Sequence, residues 1–205
     1  MPSELADNDA YGELIRYAIE QGGDGSASEP LRSAMLADPT TLRERRAPCA
    51  ADIPTVLIDL DPHGSRFDLE TIGTASPSFI RGLEQLRQED IAIAWISSHS
   101  AADADRVRAA LKNSGLDPAS ADQLILMRYP GDRKQTRRKD LALVSCVIAI
   151  AGDNRSDFDE LFDYLVKPES ALALELLIGQ GWFLIPPSLA PSNAAHTIDG
   201  LEAKP

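Results

Sequence analysis

TVLIDLDPHG, residues 55–64, is a run of strand length that stops at two aspartates. Thr55 to Leu60 reads as a buried strand. Asp59 and Asp61 flank Leu60, so in an extended chain both carboxylates point to the same side. Two like charges that close repel, and each disturbs the pKa of the other. A strand end that carries such a pair either makes a simple turn or holds something that wants both carboxylates.

Outward from this stretch, strand-like and helix-like segments alternate. Ser76-Pro77 has the form of a helix start, with proline at the first helical position and Phe79, Leu83 and Leu86 along one face. IAIAWI, 91–96, is a second strand, and Ala102–Asn113 a helix with Gly115 as its C-terminal cap. LILMR, 124–128, is a third strand. A basic helix-like stretch covers 133–144, and CVIAIA, 146–151, is a fourth strand. Helices are expected over Asp157–Leu165 and Glu169–Ile178, and a last short strand over WFLI, 182–185. This order predicts an α/β fold with a parallel sheet covered by helices on both faces. Ligands of such sheets bind at the carboxyl ends of the strands.

Residues 1–50 read as an N-terminal helical extension, 51–190 as the α/β domain and 191–205 as a polar tail that is loose from Pro186-Pro187 onward. In the extension, Tyr11, Leu14, Ile15, Ala18 and Ile19 have amphipathic spacing. GGDGSASEP is a loop, and a short helix over Leu31–Ala37 is ended by Asp38-Pro39.

The chain has 205 residues and a formal charge of −12. Such a surface repels nucleic acid and anionic lipid. No apolar run has the length of a membrane span. The acidic N-terminus lacks the pattern of a signal peptide, so the expected compartment is the cytoplasm unless a signal has been removed. Cys146 reads as a small core residue; a bridge to Cys49 belongs to the case of an exported protein. Trp95 and Trp182 read as core, and His99 and His196 as without chemistry.

The strand ends carry the chemistry. Asp59 and Asp61 follow the first strand, Ser97 and Ser98 the second. The basic segment GDRKQTRRK, with Lys134 and Lys139, follows the third, and GDNRSDFDELF, with Asp153 and Asp157, the fourth. Of the four D-x-D triplets, only 59–61 ends an apolar strand. Mg²⁺ prefers oxygen ligands and is commonly held by one or two carboxylates, waters and a phosphate; it would relieve the repulsion among Asp59, Asp61 and Asp153. Serine and lysine suit a phosphate, and a carboxylate can attack phosphorus. The plain readings are that the serines cap a turn and that most charges of GDRKQTRRK face solvent.

This ordered set resembles the haloacid dehalogenase superfamily, and the run K-x-x-R … GDN-x-x-DF, together with GWFLIPP, resembles its bacterial class C (lipoprotein) acid phosphatases. The likeness spans residues 54–187. It implies a Rossmann-like three-layer α/β/α fold with a small or reduced cap, and Mg²⁺-dependent hydrolysis of a small phosphomonoester, such as a nucleotide monophosphate, through an aspartyl-phosphate. It implies export or lipid anchoring as well. By position, Asp59 would be the nucleophile, and Asp61 the general acid/base that also offers its carbonyl to the metal. Ser97 would bond the phosphoryl group, with Ser98 where the family often has Asn. Lys134, or failing it Lys139, would hold phosphate. Asp153 would ligate Mg²⁺ and Asp157 would support it. The family's D-x-D-E-T or D-x-D-G-T reads D-L-D-P-H here, with Pro62 and His63 as the departures. A module that has lost catalysis and only binds is the alternative reading. A receiver domain is a third, disfavoured by the late GDNRSD.

Overall fold

Val56 and Ile58 join one buried cluster and Leu57 another, so the strand they share is covered on both faces. The computed structural model describes residues 2–23 and 30–189. Its sheet has five strands: β1 (Pro54–Asp59), β2 (Ala92–Ser100), β3 (Gln123–Met127), β4 (Cys146–Gly152) and β5 (Trp182–Leu184). All pair in parallel, in the order β3-β2-β1-β4-β5. This is the expected architecture. The order reverses beside β1, so the crevice where ligands sit in open α/β sheets opens beyond Asp59.

On one face lie α1 (Pro2–Gly22), α2 (Pro77–Gln88) and α3 (Ala104–Asn113), which bury Leu14, Phe79, Leu83 and Val107. The expected stripe of the first helix is there, with Tyr11, Leu14, Ile15 and Ala18 buried. Gly82 allows α1 to cross α2 closely, because a Cβ at that position would lie 2.5 Å from the Ile15 side chain. Ser76 stands at the N-cap position of α2 and Pro77 is its first residue, as expected. The other face is covered by α4 (Lys134–Ala142), by 3₁₀ turns after β4 and by the segment around Ala34–Leu36. The stretch between β1 and α2, residues 60–76, contains no helix or strand, in keeping with a reduced cap. Trp95 and Trp182 are core residues, as expected.

Several local expectations are corrected. Leu31–Ala37 is not a helix, because tertiary partners take its backbone groups. Ala34 N donates to Val147 O at 2.6 Å, and the Trp182 indole donates to Ala34 O at 2.8 Å. Asp38-Pro39 begins a 3₁₀ turn, Pro39–Thr41, capped by the Asp38 carboxylate. The helices expected over 157–165 and 169–178 are 3₁₀ turns, Arg155–Asp157, Glu160–Asp163 and Pro168–Leu177. Asn154 and Asp159 each accept a backbone N–H two residues on, and such local caps compete with a continuous α-helix. β2 runs on through Ser97 and Ser98 instead of ending before them. Ser188 and Leu189 are buried, so the chain stays packed just past the two prolines. The loop after Gly23, the tail from 190 and His196 lie outside the described residues.

Cys49 and Cys146 are joined in a disulfide, with Cα atoms 4.8 Å apart. Cys146 is therefore both a core residue and a bridge to the segment before β1. In a chain-entropy account a loop of this size contributes about 4–5 kcal/mol.

Candidate active site

β1 carries Asp59 to the crevice, and the turn after it brings Asp61 beside it on the same side. The Asp59 side chain is 1% exposed and that of Asp61 3%. Lys134, the first residue of α4, joins them: Nζ lies 2.7 Å from Asp59 Oδ1 and 3.0 Å from Asp61 Oδ2. Asp59 Oδ1 also accepts the Asp61 amide at 2.9 Å. Asp61 is held by β2: the Ser97 hydroxyl donates to Oδ1 at 2.7 Å and the Ser98 amide to Oδ2 at 2.6 Å.

These contacts set the charges. Burial raises the Asp59 carboxyl; Lys134 opposes this and the Asp61 charge adds to it, so the pKa stays above the ordinary value. Burial acts the same way on Asp61, but Lys134 and the Ser97 and Ser98 hydrogen bonds outweigh it and leave the pKa lowered. Burial disfavours the Lys134 ammonium, yet the two carboxylates prevail and raise its pKa.

The loop after β4 forms the other wall. Gly152 permits it, because a Cβ there would lie 2.4 Å from Asp157 Oδ2. Asp157 Oδ2 accepts the Asn154 amide at 3.0 Å, and burial together with the Asp59 charge pushes its carboxyl up to about 8. Asp153 Oδ2 accepts the His63 amide at 2.8 Å, and the His63 ring meets the Asn154 side-chain amide. A cleft of about 760 Å³ opens above the group, lined among others by Asp61, His63, Arg66, Ser98, Lys134 and Asp157.

The residues singled out from the sequence thus gather at one place. The Ser97 hydroxyl is turned onto Asp61 and fully buried, while Ser98 faces the cleft. Lys134 is the lysine between the carboxylates, and Lys139 is exposed on α4. His99, buried, packs its ring against Phe67 and meets Phe67 O through Nε2 at 2.8 Å.

The solvated reading of GDRKQTRRK fails for two arginines. Arg137 and Arg138 are buried. Arg138 donates to Asp157 O at 2.7 Å and to Gln135 Oε1 at 2.8 Å, so it fixes the loop that bears Asp157. Arg137 donates to Ser97 O at 2.7 Å. The signal was present in the spacing: Lys134, Arg137, Arg138 and Leu141 stand at i, i+3, i+4 and i+7, one face of a helix, and that face points inward.

Among the described residues, no group of three or more His, Cys, Asp or Glu side chains is placed to hold a metal ion. Asp59 Oδ2 and Asp153 Oδ1 are nevertheless buried acceptors with no hydrogen-bond partner among those residues. A buried carboxylate oxygen without a partner is costly. A hard oxygen of this kind, as at Asp153 Oδ1, fits a cation that keeps part of its water shell, as Mg²⁺ does.

Solved structures similar to this chain include two of a class C acid phosphatase from Bacillus anthracis, one with tungstate bound. Their TM-scores are 0.60 and, for the tungstate form, 0.58; both are 14% identical in sequence, and each match covers 89% of this chain and 78% of that chain. The fold is like that of the class C acid phosphatases. No protein-family model and no curated protein sequence matches the chain. At this identity the likeness to the class C acid phosphatases lies in the fold.

Proposed function

We propose that the protein is a Mg²⁺-dependent phosphomonoesterase that works through an aspartyl-phosphate. One observation carries this reading: at the switch point of the sheet, Asp59 has one oxygen fixed by Lys134 and the Asp61 amide, and leaves the other, Oδ2, without a partner among the described residues. A carboxylate oriented in this way is prepared for attack.

The Lys134 ammonium binds the phosphoryl group of the substrate, with the Ser98 side at the cleft wall. Asp59 Oδ2 attacks phosphorus, the ester P–O bond breaks, and the leaving oxygen takes a proton from Asp61. A water then attacks the phosphorus of the aspartyl-phosphate and gives a proton to Asp61. The bond from Asp59 to phosphorus breaks and inorganic phosphate leaves. In the resting site Lys134 favours ionised Asp61. When Lys134 turns to the phosphoryl group, that hold weakens and Asp61 gains the proton affinity a general acid needs. Asp59, Asp153 and the Asp61 carbonyl would hold Mg²⁺, with Asp157 in support. Bound there, the ion supplies neutralisation of the charge on the transferring group.

The test is hydrolysis of an aryl phosphate by the intact chain with Mg²⁺ and with a chelator. Turnover with Mg²⁺ that is lost with chelator is expected. No turnover under either condition, together with retained phosphate binding, would favour the binding-module reading.

A further inference from the structure

β2 and β3 do not stay in step. Ile96 pairs with Ile125, and the next pair is Ser100 with Met127. Three residues of β2, Ser97 to His99, therefore lie opposite one of β3, Leu126. Such a bulge bends the strand and re-aims its side chains. Here it sends the Ser97 hydroxyl and the Ser98 amide to the two oxygens of Asp61. It also takes carbonyls out of the ladder between the strands. Arg137 Nη1 meets one from each strand, Ser97 O at 2.7 Å and Ile125 O at 2.9 Å. The Arg137 side chain is 2% exposed, and its Nε, without a hydrogen bond among the described residues, lies 3.9 Å from Asp132 Oδ2. Asp132 is in turn gripped by Arg128 at 2.8 and 2.9 Å. A buried cation would not be placed between two strands unless their carbonyls needed it.

We infer that Arg137 is the positioning residue for Asp61: it occupies the gap between β2 and β3 and keeps the bulge that aims Ser97 and Ser98 at the acid. The inference rests on the phosphatase reading and adds a residue that touches neither substrate nor metal. Its consequence is specific. Protonating the leaving group matters for a poor leaving group and little for a good one, so a misplaced Asp61 harms the two kinds of ester unequally.

The experiment measures kcat/KM on an alkyl phosphate and on 4-nitrophenyl phosphate for wild type, Arg137→Met and Arg137→Lys, all with Mg²⁺. The expected result is a loss on the alkyl ester about tenfold or more greater than on the nitrophenyl ester, with the Lys variant between Met and wild type. The ratio of the two constants does not depend on how much of a variant is folded, and Arg137→Lys carries the test if Arg137→Met does not fold. Equal losses on both esters, or none, overturn the positioning role and leave the phosphatase reading standing. A wild type that turns over neither ester overturns both.

Discussion

The His63 backbone amide donates to Asp153 Oδ2 at 2.8 Å. That bond ties the turn after β1 to the loop after β4, so His63 makes this contact through its main chain. The other oxygen of Asp153, Oδ1, has no hydrogen-bond partner among the described residues. Groups that orient a ligating carboxylate commonly change metal affinity by about 10–100-fold. His63→Thr retains the amide and should keep activity within about threefold, whereas His63→Pro removes it and should weaken Mg²⁺ binding about tenfold. Titration of activity against Mg²⁺ separates the two. A matched loss in both variants would give the role to the ring.

Asp59→Asn keeps the shape of the side chain and removes the attacking charge. Phosphatase activity is expected to fall by about three decades or more while the circular dichroism spectrum stays native. Activity within tenfold of wild type would take Asp59 out of the mechanism.

Mg²⁺ should stabilise the protein by mass action, by about 2.7 kcal/mol when its concentration is a hundred times Kd. Melting curves at millimolar Mg²⁺ and in chelator should therefore differ by several degrees. In Asp153→Asn, where one of the two partnerless oxygens is changed, the difference should shrink. An unchanged wild-type curve would count against the cation.

Asp157 links stability to pH. In the folded chain its carboxyl titrates at about 8, against about 4 when unfolded. Between those values the unfolded state binds fewer protons, so the metal-free protein should lose stability as pH rises from about 4 through 8. Asp157→Asn removes this contribution and should raise Tm at pH 8 in chelator while changing it little at pH 4. Parallel Tm profiles for the two proteins would contradict the assignment.

Much of this candidate site was legible in the sequence because ligand-facing side chains in parallel sheets follow strands, and the strands declare themselves by their apolar runs. Asp59, Asp61, Lys134, Asp153 and Asp157 were found in that way. The serines were found too, but their direction was not: it depends on a bulge against β3, and that pairing is non-local. Arg137 and Arg138 were missed because a run of cations looks solvated until its partners, carbonyls of three separate segments, are known. The segment around Ala34 was misread for a similar reason, since the Val147 carbonyl and the Trp182 indole that hold it extended lie more than 100 residues away.

The bridge between Cys49 and Cys146 has a consequence for damage. It closes a covalent ring that contains Asp59, Asp61, Ser97 and Lys134, and leaves Asp153 and Asp157 outside it, in the loop after β4. A protease that cuts once in the exposed turn at 63–66 opens the ring without parting the chain. The nicked protein should run as one band on a denaturing gel without reductant and as two with it, and the two halves of the site would stay tethered after the cut.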